Sequence, residues 1–328
     1  MQSPFAGGGG PADGAGTGAV LRPMGVSQLL DAVFSLFRRD FVLLVSVVAV
    51  VQVPYQLLSH LVLPTATITR LATHLQLQSR QGTLTAAAAH QALSQMLGAF
   101  VVFLILELVV LVFVIPLETA AITRAVAERL LGRATTVGAV YRAALGRWAA
   151  LFGFGVLLFL FAIGAVVVLA LVAALLVAVA GGVGRLLVAL LILAALVGAV
   201  MAYVRLLLAT QAIVLEGIGP LDGMRRSWQL TRGLAWRTLG FVLVLGILTT
   251  VLAFLLGLVT DVLVAVAGGL TGAGPLVSAV GSAVIAVLVA PILAVGLTML
   301  YYDHRVRREG FDLQLLAAQL AESPAPPA

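Results

Sequence analysis

Six long apolar runs alternate along the chain with shorter polar segments that carry arginine. The runs cover residues 41–62, 97–120, 149–180, 186–209, 239–259 and 276–301. Because about 20 apolar residues in a helix cross the hydrocarbon core of a bilayer, each run predicts one transmembrane helix. The third run is longer than a bilayer requires, so we expect it to tilt or to extend beyond the membrane. The pattern predicts an all-α protein, a polytopic membrane helix bundle with six spans.

A short amphipathic stretch precedes each odd-numbered span. These stretches are residues 26–39, 137–148 and 220–236, and each ends in arginine or tryptophan. In the first, Leu29, Val33 and Phe37 recur at helical spacing. An amphipathic helix with arginine and aromatic residues at a bilayer edge lies in the interface. The chain is therefore predicted to contain three units, each a short interfacial helix on the cytoplasmic side followed by two spans.

The division into spans also predicts the domain boundaries. Residues 1–22 are rich in glycine, proline and alanine, which is typical of a disordered tail. Residues 23–315 form one transmembrane domain, and residues 316–328 form a C-terminal tail.

The distribution of charge predicts the orientation. All 19 basic residues are arginine, and with a cytoplasmic N-terminus 16 of them fall on the inner side. Only Arg70, Arg80 and Arg185 fall on the outer side. Because cytoplasmic loops carry the excess of positive charge, we expect a multi-pass protein of the cell membrane with both termini cytoplasmic.

Composition excludes several classes of protein. Hydrophobic residues make up 62% of the chain and charged residues 10%, against about 25% charged in soluble domains, so a soluble enzyme is excluded. The arginines lie between apolar runs without a basic stripe, so no nucleic-acid partner is expected. The chain has no cysteine and no paired-histidine motif, and we expect no metal and no cofactor. Membrane lipids are the expected partners, and the oligomeric state stays open.

Four polar side chains inside the predicted spans are candidates for an intramembrane site, because such groups need a partner or a role: Gln52, Glu107, Glu118 and Arg205. Glu118 follows Glu107 by eleven residues, which places both within about 20° on one helix face. Pro116 between them is expected to loosen the helix. The carboxyls either form a polar path or headgroup site, or bond to a neighbouring span as structural groups. Arg205 is expected to snorkel, to pair with one of these carboxyls, or to bind a substrate.

Two predicted cytoplasmic segments, residues 215–237 and 300–312, carry the remaining candidates. The first interleaves arginine and tryptophan, which suits contact with anionic lipid headgroups; its candidates are Arg225, Arg226, Trp228, Arg232, Trp236 and Arg237. The second is predicted to latch the C-terminus beneath the bundle through ion pairs, among its own residues or with the Arg225 cluster; its candidates are Asp303, Arg305, Arg307, Arg308, Glu309 and Asp312.

With the entry helix at residues 29–41, these segments resemble the bacterial glycerophosphoryl diester phosphodiesterase membrane-domain family, over about residues 22–315. The resemblance covers the membrane region and not the metal-dependent catalytic barrel found in some relatives, so it implies no phosphodiesterase activity. It implies an integral membrane protein with no catalytic residues.

We therefore expect a non-enzymatic protein that handles or senses lipid at the cytoplasmic leaflet. The alternatives are a scaffold or partner subunit for another membrane protein, and a small-solute transporter. An intramembrane enzyme would need a nucleophile and a base, and no such pair is recognisable.

Overall fold

The computed structural model describes residues 23–62, 85–271 and 273–310, together with positions 73, 76, 77 and 80. These residues form helices joined by short turns, and no strand occurs among them. The helices are α1 (Val26–Arg39), α2 (Phe41–Val62), α3 (Ala86–Val109), α4 (Ile115–Leu130), α5 (Val137–Leu145), α6 (Trp148–Leu206), α7 (Ala209–Glu216), α8 (Pro220–Thr231), α9 (Ala235–Thr271) and α10 (Gly274–Glu309). The two predicted tails lie outside the described residues.

Five helical segments of the described chain are long and apolar enough to cross a membrane. They are Phe41–Ser59, His90–Leu130, Trp148–Glu216, Ala235–Gly268 and Gly274–Glu309. This confirms an all-helical membrane protein. Several helices run past the predicted spans because polar turns continue them; α10 reaches Glu309 with Asp303–Arg307 and Arg305–Glu309 pairs one turn apart.

Helix α6 contains two of the predicted spans and is interrupted at Gly181. The backbone there has φ 52° and ψ −119°, a conformation that glycine adopts without the clash of a Cβ atom. The chain turns back so tightly that a Cβ on Gly184 would lie 2.1 Å from the carbonyl oxygen of Leu176. Residues 148–180 and 182–206 are thus two arms, about 50 Å and 37 Å long at 1.5 Å per residue.

A π-helical turn, Val110–Val114, joins α3 to α4 just before Pro116. Proline has no N–H to donate, and its ring crowds the carbonyl four residues earlier, so the regular hydrogen-bond ladder is disturbed at this point. The wider turn absorbs that disturbance without breaking the rod. The loosening expected at Pro116 therefore takes the form of a π turn between Glu107 and Glu118.

The three predicted amphipathic stretches form separate short helices, α1, α5 and α8, ahead of α2, α6 and α9. Helix α1 buries Leu29 and Val33, as its apolar spacing predicts, together with Leu36, whereas Phe37 is half-buried. Helix α8 is shorter than the predicted stretch of residues 220–236. It ends at Thr231, and the chain turns through Gly233, which has φ 75°, before α9 begins.

The helices are packed most tightly at one end, called the arginine-rich end, formed by α1, α5, α7, α8 and the adjoining ends of α2, α4, α6, α9 and α10. Asp40 at the start of α2 pairs with Arg129 of α4 at 3.2 Å, and Arg237 of α9 pairs with Asp303 of α10 at 2.9 Å. Helix α10 is central, with 61% of its most apolar stretch buried, whereas that of α6 is wholly unburied. Apolar side chains on the outside of α6 are what a lipid environment favours.

Candidate functional site

Two hydrogen bonds join α2 to the rod formed by α3 and α4. The side-chain nitrogen of Gln52 donates to Glu118 at 2.7 Å, and the Tyr55 hydroxyl donates to Glu107 at 2.5 Å. Gln52 and Tyr55 are three residues apart, so they share one face of α2. Both carboxyls therefore meet the same neighbouring helix. Glu118 is buried, with 5% of its surface exposed.

Helix α5 closes the same region from the arginine-rich end. The Tyr141 hydroxyl donates to the carbonyl oxygen of Val47 on α2 at 2.7 Å. Burial raises the pKa of Tyr141, and the nearby Glu118 carboxyl raises it further, so the hydroxyl remains a donor. Tyr55 and Tyr141 are not among the predicted site residues. Nothing in the sequence distinguishes them from the tyrosines that anchor helices at a membrane interface.

Arg205 lies apart from these carboxyls. Its guanidinium sits over the ring of Trp228, 4.6 Å from the ring centroid, and no salt bridge to it is present among the described residues. A cation over an indole ring is stabilised by the negative face of the ring. Of the four intramembrane candidates, the structure brings Gln52, Glu107 and Glu118 to the α2 face and places Arg205 against α8.

The Gln52–Glu118 contact gives a prediction for stability. Glu118→Leu removes the acceptor and leaves the half-buried Gln52 amide without this partner, which should cost about 1 kcal/mol. Glu118→Gln keeps an acceptor oxygen and should unfold close to the wild type. The double variant Gln52→Leu/Glu118→Leu should recover part of the loss, as measured by thermal unfolding in detergent. A Glu118→Leu protein as stable as wild type would contradict a structural contribution from this bond.

Arg226 is the centre of the first ion-pair cluster at the arginine-rich end. Its Nε atom donates to both carboxylate oxygens of Glu216 at 2.8 Å, and its Nη2 atom donates to Glu309 at 2.9 Å. Arg305 adds a contact to Glu309 at 3.2 Å, and the Tyr301 hydroxyl donates to Glu216 at 2.5 Å. Burial acts to lower the pKa of Arg226, but the bonds to Glu309 and Glu216 outweigh it and raise that pKa.

Asp303 is the centre of the second cluster. Its side chain is fully buried and accepts hydrogen bonds from Arg237 at 2.9 Å and Arg307 at 3.0 Å. It also accepts the backbone N–H of Met24 at 2.9 Å, while both arginines donate to the Met24 carbonyl at 2.6 Å. The cluster therefore ties the segment before α1 to the start of α9 and the end of α10.

Arg226 and Arg237, which were predicted to contact lipid headgroups, have carboxylate partners within the protein, and the headgroup contact stays a prediction. Both guanidiniums face carboxylates of the protein, because a half-buried arginine is stabilised more by a fixed carboxylate than by solvent. Of the predicted latch residues, Asp303, Arg305, Arg307 and Glu309 take part in the clusters. Arg308 is exposed beside Gly233, and Asp312 lies outside the described residues.

The other arginines and tryptophans of this segment point outwards. We call Leu221, Arg225, Trp228, Arg232 and Trp236 the arginine–tryptophan surface. The first four recur at spacings of four, three and four residues, so they share one side of α8 and its end. Trp236 is 77% exposed, Leu221 56% and Trp228 47%. Among the described residues, the ion-pair partner of Arg225 is Asp222, at 3.5 Å, and both of these side chains are largely exposed.

Helix α8 turns this face outwards because its opposite face packs closely on α6 and α7. A Cβ on Gly223 would lie 2.4 Å from Ile213, so only glycine permits that approach. The buried Ser227 hydroxyl donates to the Arg205 carbonyl at 2.6 Å and accepts the Leu208 N–H at 3.1 Å. It thereby satisfies backbone groups at the break between α6 and α7. Leu221 and Trp228 of α8 thus face outwards, whereas Leu230 is buried with Gly223 and Ser227.

No group of three or more metal-ligating side chains occurs in the part of the chain that the structure describes.

The fold and these clusters define a class: a polytopic helical membrane protein whose polar contacts concentrate at one end of the bundle. Residues 24–304 match the family described as Domain of unknown function (DUF7847), and the chain belongs to that family. No curated protein matches the chain, and no solved structure matches it. The family match provides no link to the glycerophosphoryl diester phosphodiesterase membrane-domain family, so that resemblance stays a prediction.

Proposed function

We propose that this protein is a non-enzymatic membrane protein that handles or senses anionic lipid at the cytoplasmic leaflet. In this proposal the two arms of α6 are separate spans, which gives six spans in the cell membrane. The arginine-rich end and both termini are then cytoplasmic, in keeping with the excess of positive charge on that side. Helices α1, α5 and α8 lie at the cytoplasmic interface.

The observation that carries the proposal is the exposed arginine–tryptophan surface. It combines an apolar side chain, Leu221, with one indole ring and two guanidiniums along α8 and its end, followed by the exposed Trp236 at the start of α9. Such a face is costly in water alone, but at a bilayer edge its apolar groups enter the headgroup region while its arginines meet phosphates. Other arginines of the same segment are neutralised internally, so Arg225 and Arg232 supply the positive charge that faces outwards.

The alternative functions have less support. A small-solute transporter needs a polar route through the bundle. In the structure the Gln52 side chain is hydrogen-bonded to Glu118, and the Tyr55 hydroxyl is hydrogen-bonded to Glu107. The cavity between the two α6 arms is lined by apolar residues and glycine. A scaffold for another membrane protein remains the second candidate, since the outer faces of α6 could receive a partner helix as well as lipid.

Lipid analysis of the purified protein tests the proposal. The full chain is extracted from membranes in native-lipid nanodiscs, and its lipids are compared by mass spectrometry with those of an unrelated multi-span protein. We expect anionic lipid to be enriched around the wild type. Arg225→Gln and Arg232→Gln should each reduce that enrichment, and the double variant should remove most of it.

Arg185→Gln is the matched control, because it removes the same charge from an exposed arginine on the predicted outer side. It should leave the enrichment unchanged. A wild-type lipid profile equal to that of the unrelated protein would overturn the proposal and favour the scaffold role. So would an enrichment that falls equally in all three single variants.

A further inference from the structure

A polar cavity of about 270 Å³ opens at the arginine-rich end, and none of its lining residues belongs to the arginine–tryptophan surface. It lies between α4, the junction of α5 with α6, and the end of α7. Its walls are Arg124, Ala143, Arg147, Val214, Leu215, Glu216 and Gly217. The volume is just below the range of about 300–1,000 Å³ for small-ligand pockets, so it suits a single headgroup-sized moiety.

The charges around this cavity leave it with an excess of positive charge. Glu216 is engaged by Arg226 on both oxygens and accepts the Tyr301 hydroxyl as well. Arg124 is paired with Glu128 at 2.7 Å. Arg147 has no carboxylate within 4.0 Å among the described residues, and its side chain donates there only to the Gly217 carbonyl, at 2.8 Å. A guanidinium has five N–H donors, so most of those on Arg147 are left for a ligand.

Gly217 fixes the position of the Arg147 side chain. This glycine ends α7 in the left-handed conformation, with φ 70°. A Cβ at this position would lie 2.5 Å from Nη2 of Arg147, so any other residue would displace the guanidinium. Glycine therefore serves the turn and also admits the arginine to the cavity wall.

An aromatic stack next to Arg147 indicates the depth of the cavity in the membrane. The ring of Trp148 stacks on Phe152 at 5.4 Å and on Phe113 at 5.9 Å between ring centroids. Tryptophan is enriched at the headgroup level of a bilayer, where one part of the ring is apolar and another is wet. Arg147 directly precedes this tryptophan, so the proposed function places it at the level of the lipid phosphates.

We propose that the cavity binds a phosphate group, held by Arg147 and Arg124. The planar fork of a guanidinium matches phosphate oxygens, and charge-assisted bonds of this kind are strong. The phosphate is carried by a lipid headgroup or by a soluble phosphomonoester. The lipid source rests on the proposed function, whereas recognition of the phosphate itself does not.

A matched pair of variants at Ala143 tests the proposal without removing any native contact. Ala143 is exposed on α5 and lines the cavity. Ala143→Glu and Ala143→Gln introduce side chains of similar size that differ in charge. The full chain, in phosphatidylcholine nanodiscs, is titrated with glycerol 3-phosphate and with inorganic phosphate. In a parallel arm, part of the phosphatidylcholine is replaced by phosphatidic acid, and binding is measured as a shift in the thermal unfolding midpoint.

We expect Ala143→Glu to bind phosphate at least about tenfold more weakly than Ala143→Gln, because a like charge then faces the ligand. Arg147→Gln should lose binding to a similar extent, and Arg147→Lys should keep part of it. Arg142→Gln is the control, since Arg142 is exposed on the same helix and does not line the cavity. A response to phosphatidic acid alone identifies a lipid source, and an equal response to glycerol 3-phosphate identifies a soluble one.

Equal binding by Ala143→Glu and Ala143→Gln, or no binding in either arm, would overturn the phosphate site. If anionic enrichment in native nanodiscs still depends on Arg225 and Arg232 in that case, the proposed function stands without this cavity. If the cavity binds soluble phosphate while the native nanodiscs show no enrichment, the proposed function fails and the phosphate site stands.

Discussion

Replacing Asp303 with asparagine should produce one of the two largest losses of stability among the substitutions predicted for the arginine-rich end. The carboxylate is fully buried and holds Arg237, Arg307 and the N–H of Met24 together. Removing one member of a buried ion pair costs about 3–5 kcal/mol, because the remaining charge is left in a poor environment. The two arginines are 21% and 29% exposed and can recover some hydration. We therefore expect a loss near 3 kcal/mol, at the lower end of this range.

Chemical denaturation in detergent micelles, followed by helical circular dichroism, measures this loss. Asp222→Asn is the matched control, because Asp222 is an exposed carboxylate whose nearest cation is Arg225 at 3.5 Å. An exposed pair of this kind contributes about 0–1 kcal/mol, so the control should unfold near the wild-type midpoint. If Asp303→Asn and Asp222→Asn unfold together, Asp303 does not tie the segment before α1 to α9 and α10.

The positions of the long helices could be predicted from the sequence because bilayer thickness determines them. A chain with 62% hydrophobic residues has few ways to satisfy its backbone in lipid other than helices of membrane length. The three short helices could also be predicted, because each has its own set of apolar residues at helical spacing ahead of the next span. A turn near Gly181 could be predicted from the glycines at positions 181, 182 and 184. In the structure the helices on both sides of the turn extend almost to Gly181.

The partners of the polar residues could not be predicted in the same way. A guanidinium can bind either a lipid phosphate or a protein carboxylate. The spacing of the residues around Arg226 does not show which of the two it binds. Its partners Glu216 and Glu309 lie 10 and 83 residues away, and the second becomes adjacent only when α8 packs near the end of α10. Asp303 and Glu309 do pair with arginines, as expected. Residues 303–309 contain three arginines close to these two carboxylates, so arginine was the expected partner.

The buried face of α8 could not be predicted from the spacing of its apolar residues alone. Periodicity selects Leu221 and Trp228 as apolar, which in a soluble protein would place them in the core. Beside a membrane, a large apolar side chain can face lipid instead of the protein core. Close contact between helices favours small residues on the buried face. Gly223 and Ser227 allow the short distance to α7, so Leu221 and Trp228 are left on the outside while Leu230 is buried. A stripe of small residues is therefore the better signal for the buried face here.

Arg226→Met should produce the second large effect, and its size should depend on Glu309. The first cluster contains two arginines, Arg226 and Arg305, and two carboxylates, Glu216 and Glu309, so its formal charge is zero. Removing Arg226 leaves one uncompensated negative charge, and we expect a loss of about 3 kcal/mol. Glu309→Gln alone should cost less, since Arg226 keeps both bonds to Glu216.

The double variant Arg226→Met/Glu309→Gln restores neutrality in the cluster and should be more stable than the sum of the two single losses predicts. Groups within one network couple by about 0.5–3 kcal/mol, and we expect about 1–2 kcal/mol here. The control is Arg133→Met, because Arg133 is 69% exposed and lies 3.9 Å from its carboxylate partner. It should shift the unfolding midpoint little. Strictly additive losses would mean that Arg226 and Glu309 do not act on each other. The packing of α8 against α10 would then have to rest on contacts other than the Arg226–Glu309 pair.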